Sequence, residues 1–124
     1  MDIIATDQAP KAIGPYSQAI RVGNVLYTSG QIALDPATGN LAEGDFAAQA
    51  KRVFENLKAV LAAGGTSFSK VIKATVYVTD LANFVTLNEI YASYFGDTKP
   101  ARTTVGVAQL PKGGLVEIDL IAMV

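Results

Sequence analysis

The 124-residue chain has no cysteine and no histidine. The first absence removes disulfides and thiol nucleophiles, the second removes an imidazole general base, and together they exclude Cys/His zinc sites. Any chemistry must use Arg, Lys, Asp, Glu, Tyr, Ser, Thr, backbone amides or bound water, so no metal and no cofactor is expected. Charge is also sparse. Only 17% of residues are charged, ten basic and eleven acidic, for a net charge of -1 with no long run of either sign. That pattern carries no nucleic-acid footprint and no polybasic membrane patch. No apolar run approaches the length of a membrane span, and Met1-Asp-Ile-Ile-Ala lacks the basic-then-apolar pattern of a secretory leader. A soluble, cytoplasmic protein is expected, with neither nucleic acid nor membrane as partner.

Half of the residues are hydrophobic. At this length they fill one core, so residues 1–124 read as a single domain. They also exceed what a lone small subunit needs to bury, which points to a subunit interface.

Ile3 to Ala5 is expected as a short strand, followed by a loop through Ala9-Pro-Lys-Ala-Ile-Gly-Pro-Tyr-Ser17. Ala19 to Val22 and Val25 to Ser29 flank Gly23-Asn24, a two-residue connection suited to a tight hairpin. Asp35-Pro-Ala-Thr-Gly39 has the residues of a turn. Phe46, Ala50, Val53, Phe54, Leu57, Val60 and Leu61 recur at helical spacing, and Gly64-Gly65 offers a left-handed stop.

Val71 to Val78 is rich in β-branched residues and reads as a strand, with Ile72, Ala74, Val76 and Val78 on one face and Lys73, Thr75 and Tyr77 on the other. Asp80 is placed to cap a second helix, whose Phe84, Leu87, Ile90, Tyr91 and Tyr94 form a core stripe before Gly96 ends it. Thr103 to Val107 then completes a β-α-β unit, which predicts parallel strands and a right-handed crossover. In the final run, Val116, Ile118, Leu120, Ala122 and Val124 share one face while Glu117 and Asp119 share the other.

The element order is therefore β-β-β-α-β-α-β-β: an α/β (α+β) sandwich, a mixed sheet of about six strands with two helices on one face. The second face carries Tyr77, Glu117, Asp119 and Ile121. It is too apolar for open water and too charged for a dry core, so a homo-oligomer that covers it is expected.

Several separate stretches resemble one family: Ala12-Ile-Gly-Pro-Tyr-Ser-Gln18, Thr28-Ser-Gly-Gln-Ile32, Asn56-Leu-Lys-Ala59, Val78-Thr-Asp-Leu81, Asn88, Pro100-Ala-Arg102, Leu110-Pro-Lys112 and Val116-Glu-Ile118. Their order and spacing are similar to those of the reactive intermediate deaminase (Rid) family, in particular its RidA branch, over nearly the whole chain. The resemblance implies a chorismate-mutase-like fold assembled as a homotrimer around a central barrel, with sites in the clefts between subunits. It implies cofactor-free hydrolysis of enamine and imine acids, such as 2-aminoacrylate and 2-iminobutanoate, to 2-keto acids and ammonia. Arg102 falls on the family's substrate-binding arginine and Glu117 on its carboxylate. Tyr16, Ser29, Gly30 and Asn88 fall on positions lining the same cleft. Thr104 stands where many RidA members carry a cysteine; the resemblance implies a ligand contact there largely through the backbone amide, so activity is expected to survive the change while substrate preference or sensitivity to oxidation could differ.

Each residue also has a plainer reading. Arg102 alone is an arginine at a strand end; within its motif, its permanently charged planar fork suits bidentate recognition of a carboxylate. Glu117 alone is half of an amphipathic strand; as a functional group it can activate water and pass a proton to a departing amine without histidine. Asp119 reads as structural. Tyr16 either packs over a core edge or closes the cleft, and Ser29-Gly30 either forms a bulge or lets backbone approach a ligand. Asn88 competes with a helix-packing role.

A plain hairpin about Pro111 to Gly114 would set Glu117 opposite Val107 and leave Arg102 roughly 17 Å further along the strand. Either these strands are not paired neighbours or the site takes groups from two chains. The leading functional expectation is a trimeric 2-iminobutanoate/2-iminopropanoate deaminase. A specialised pathway deaminase of the same family and a non-catalytic, carboxylate-binding or chaperone-like trimer are its alternatives, and RNA cleavage is the weakest reading.

Overall fold

A computed structural model of the chain describes residues 1–124. Six strands and two helices follow in the order β1 (Asp2–Ile4), β2 (Ala19–Val22), β3 (Val25–Thr28), α1 (Phe46–Ala63), β4 (Val71–Val78), α2 (Phe84–Phe95), β5 (Ala101–Gly106) and β6 (Val116–Met123), with three one-turn 3-10 helices between them. The strands form one mixed sheet in the order β1-β2-β3-β6-β4-β5. The expected α+β sandwich is present, with both helices over one face. Neither helix is long and apolar enough to cross a membrane.

The hairpin of β2 and β3 turns at Gly23, whose φ of +59° suits glycine. β4 and β5 pair in parallel, as a strand-helix-strand unit requires. β6 lies between β3 and β4, antiparallel to both, and is not a neighbour of β5. The first alternative left open by the hairpin geometry therefore holds: β4 separates the two strands that carry Arg102 and Glu117. Alternation in β6 is regular, with Val116, Ile118, Leu120 and Ala122 buried beneath the helices and Glu117, Asp119 and Ile121 half-buried on the other face.

Three local expectations are corrected. Ile72 is 47% exposed, not inward, because the β4–β6 register shifts between Val71 and Lys73 and Val71 takes the buried place. Asp80 does not cap α2; its carboxylate accepts from the Ala82 amide at 2.9 Å and starts a one-turn 3-10 helix, Leu81–Asn83, from which α2 continues. At the end of α1 only Gly65 is left-handed, with φ +84°; Gly64 is right-handed and serves packing, since a Cβ there would lie 2.8 Å from both Leu26 methyls.

α1 is capped by Asp45, whose carboxylate accepts from the Ala48 amide at 3.0 Å. Its buried stripe holds Phe54 at the centre of an aromatic group, stacked on Tyr94 at 4.8 Å and edge-on to Tyr91 and Phe95. On the same helix Asn56 is completely buried. It donates to the Leu34 carbonyl at 2.8 Å and accepts from Arg52 Nε at 3.0 Å, tying the loop after β3 to the helix. Replacing Asn56 by leucine keeps the branched shape but strands the Leu34 carbonyl, and should destabilise the protein by about 1–3 kcal/mol. Urea unfolding measures it; a loss below about 0.5 kcal/mol would show that the tie contributes little.

Candidate functional site

Two groups of side chains collect the residues singled out from the sequence. The first forms around Glu117. β3 pairs regularly with β6 up to Tyr27–Ile121, and pairing resumes as a single bridge at Gln31–Ile118. Three residues, Thr28 to Gly30, therefore face two, Asp119 and Leu120, which is one extra residue and hence a bulge. The Thr28 hydroxyl accepts from the Leu120 amide at 3.0 Å. Gly30 sits at the end of this bulge with no left-handed φ, so its value is space. A Cβ on Gly30 would fall onto the Glu117 carboxylate, 2.9 Å from Cδ. The carboxylate occupies room that only glycine leaves.

Ser29 fixes the neighbouring loop: its amide donates to the Gln18 carbonyl at 2.9 Å and its hydroxyl to the Ser17 carbonyl at 2.5 Å. The buried Gln18 amide latches the segment before it, donating to the Pro10 and Thr6 carbonyls at 2.7 and 3.0 Å and accepting from the Thr6 amide at 2.7 Å. Tyr16, 54% exposed, projects between these fixed points. Tyr16, Ser29, Gly30 and Glu117 thus line one cleft of about 520 Å³, joined by Lys11, Gln31 and Lys112. Lys112 is the one non-glycine residue with a left-handed backbone, φ +57°; it belongs to the Leu110-Pro-Lys112 stretch, but neither its charge nor that of Lys11 marks a site position in the sequence.

Burial pushes the Glu117 carboxyl above its ordinary value, and the Asp119 charge beside it adds to the shift. Asp119 is likewise raised by burial, while the Tyr77 and Thr75 hydroxyls and the Lys73 cation pull it back.

The second group forms around Arg102. Because β5 is in register with β4 at Arg102–Ala74 and Thr104–Val76, both residues point to the helix face. Arg102 Nη1 donates to Asn88 Oδ1 at 2.8 Å, and the guanidinium lies over the Tyr91 ring at 4.8 Å and the Phe84 ring at 5.4 Å. The Thr104 hydroxyl is buried without a hydrogen-bond partner, as is that of Tyr91. Burial pushes the Tyr91 phenol up, and the Arg102 cation pulls it back.

The aromatic stripe of α2 is therefore not core alone: Tyr94 and Phe95 pack on Phe54, while Phe84 and Tyr91 flank the arginine. The positions 84, 88 and 91 recur at helical spacing, a signal present in the sequence but indistinguishable there from core packing. Arg102 and Glu117 are not brought together. Glu117 is level with Tyr77 and Val105 on the open face, whereas Arg102 sits three residues away on the opposite face, two strands over. One chain holds two separate clusters of these side chains.

The family model described as Endoribonuclease L-PSP matches residues 6–124. A 2-iminobutanoate/2-iminopropanoate deaminase of Bos taurus is 49% identical over 121 residues, covering 98% of this chain and 88% of the relative. The chain belongs to the Rid family. Among other Rid relatives, Protein DfrA of Myxococcus xanthus is 57% identical over 122 residues, covering 97% of this chain and 93% of that one. The crystal structure of RidA from an Antarctic Psychrobacter superposes with a TM-score of 0.96 at 49% identity, covering all of both chains.

The raised Glu117 value has a consequence for stability with a definite sign. A carboxyl whose folded value lies above its unfolded value costs nothing when protonated and opposes folding once pH rises past the unfolded value. Glu117→Gln should therefore raise the melting temperature near about pH 7, with the gain vanishing below about pH 4. A gain that is the same at both pH values in thermal scans would contradict this account of the carboxylate.

Proposed function

We propose that this Rid protein hydrolyses short 2-imino acids and their enamine tautomers to 2-keto acids and ammonia, at sites that two copies of the chain complete together in a homotrimer. The observation that carries this reading is the separation of Arg102 from Glu117 by the sheet itself. Family relatives named as imine deaminases support the reaction class.

In this assignment Arg102, Asn88 and Thr104 of one copy face Tyr16, Ser29, Gly30 and Glu117 of the next. The guanidinium fork holds the substrate carboxylate bidentately and so fixes the adjacent imine carbon. An enamine first takes a proton at its terminal carbon to become the protonated imine. Glu117 takes a proton from water, whose oxygen attacks the carbon of the protonated imine to give a neutral tetrahedral amino alcohol. The same carboxyl then delivers that proton to nitrogen, and as the carbon–nitrogen bond breaks the hydroxyl proton passes back to the Glu117 carboxylate, so that ammonia leaves and the ketone forms. A carboxyl raised by burial suits this double role, because it accepts a proton more readily than an exposed carboxylate does. Tyr16 closes the cleft, and the Ser29–Gly30 bulge keeps the carboxylate uncrowded.

A serine or threonine dehydratase supplies the imine in situ, and keto-acid release is read against buffer alone. Arg102→Ala should lower kcat/KM by roughly 100-fold, and Arg102→Lys should recover only part of it because the fork is lost. Wild type and Arg102→Ala indistinguishable in this assay would end the assignment. Mixing Arg102→Ala with Glu117→Gln subunits, denatured and refolded together, should regenerate about a quarter of wild-type sites, because each site then draws its groups from different copies. Failure of the two inactive variants to complement would place the whole site in one chain.

A further inference from the structure

We propose that Phe84 and Tyr91 are positioning residues whose ring faces hold the Arg102 guanidinium and so keep it ready for a planar anion. Tyr91 has its ring centroid 4.8 Å from the guanidinium carbon, and Phe84 has its own at 5.4 Å. Between them in sequence, Asn88 takes one Nη1 hydrogen at 2.8 Å. The three positions are i, i+4 and i+7 of α2, one stripe laid along β5. Asn88 consumes one of the five guanidinium donors and the rings consume none, so the outer edge stays free for a ligand.

Neither ring is explained by packing alone. Phe84 is 39% exposed, an unhelpful place for a phenylalanine unless its face is in use. Tyr91 packs on Phe54 and Phe95, yet its ring centroid is also the nearer of the two to the guanidinium carbon. An arginine side chain loses much rotamer freedom on binding, and a cation already stacked has lost it beforehand. The ring contacts thus act on affinity for the carboxylate. This inference rests on the assignment of Arg102 as the carboxylate-binding group.

The experiment combines side-chain NMR with kinetics on the assembled protein. Arginine is labelled with 15N; there are three such residues, Arg21, Arg52 and Arg102, and Arg102→Lys identifies the signal. In Phe84→Leu and Tyr91→Leu the Arg102 Nε–Hε signal should lose its ring-current shift and gain mobility. KM for the dehydratase-supplied imine, and the dissociation constant for pyruvate by calorimetry, should rise roughly three- to tenfold, with kcat changing less. Tyr91→Phe should restore both readouts. Phe84 lies outside the buried core, so its variant reports even where Tyr91→Leu folds poorly.

An Arg102 signal that is identical in wild type and both leucine variants would overturn the proposal. So would an unchanged KM with activity falling only in proportion to the folded fraction. If Arg102→Ala instead hydrolyses the imine like wild type, the functional assignment of the arginine falls, and the NMR signal still decides whether the rings hold it.

Discussion

The structure depends on β6 being hydrogen-bonded along both edges. A strand pinned by β3 on one side and β4 on the other cannot slip by one residue without turning Val116, Ile118 and Leu120 out to the open face and Glu117 and Asp119 into the core. Carboxylates beneath the helices would have no water and no partner, an arrangement far more costly than their half-buried positions. The apolar core therefore fixes the acidic residues as firmly as it fixes itself. Everything that surrounds Glu117, from the Gly30 bulge to the Tyr16 loop, is built against a side chain whose place the core has already decided.

The two halves of the proposed site are held by different physics. Around Glu117 the backbone does the holding: a bulge, a glycine that leaves room, and the Gln18 latch on the preceding loop. Around Arg102 the side chains of one helix do it, through two ring faces and an amide. The difference follows from location. Glu117 is on a central strand where neighbouring backbone is close, while Arg102 is on β5 at the sheet edge, where only α2 passes near enough to touch a long side chain.

Much of this fold was legible in the sequence because its periodicities are strong. Alternation in β6, the stripe of α1 and the Gly23-Asn24 hairpin each translate directly into burial. What periodicity does not encode is which strand lies beside which, and that decides where Arg102 goes. A hairpin of the last two strands is the short-range expectation, and the long-range pairing of β4 with β6 overrides it. The bulge before Lys73 that exposes Ile72 escaped for a similar reason: it is a backbone event with no residue signature. Among the site residues, the resemblance to Rid proteins selected Tyr16, Ser29, Gly30, Asn88, Arg102, Thr104 and Glu117 as a set, but spacing alone could not divide them into two groups. Lys11 and Lys112 read as ordinary loop charges, and Phe84 and Tyr91 read as core, because charge at a loop and aromatics on a helix carry no mark of a site in the sequence.

The division also bears on proton transfer. Within one chain Glu117 has an acidic neighbour in Asp119, and both burial and that neighbour push its proton affinity up. In the proposed assembly a guanidinium from the next copy faces the same cleft, and an opposite charge works in the other direction. A substrate carboxylate seated on that guanidinium would offset the cation and restore part of the upward shift. The carboxyl would then hold protons least firmly in the empty site and more firmly once substrate is bound. A carboxyl that is readily ionised in the empty site and gains proton affinity beside bound substrate can take a proton from water once the imine is seated, and this requires no histidine. In the proposed assembly this ordering would arise because the acid and the cation come from different chains, each folded without the other's charge to balance.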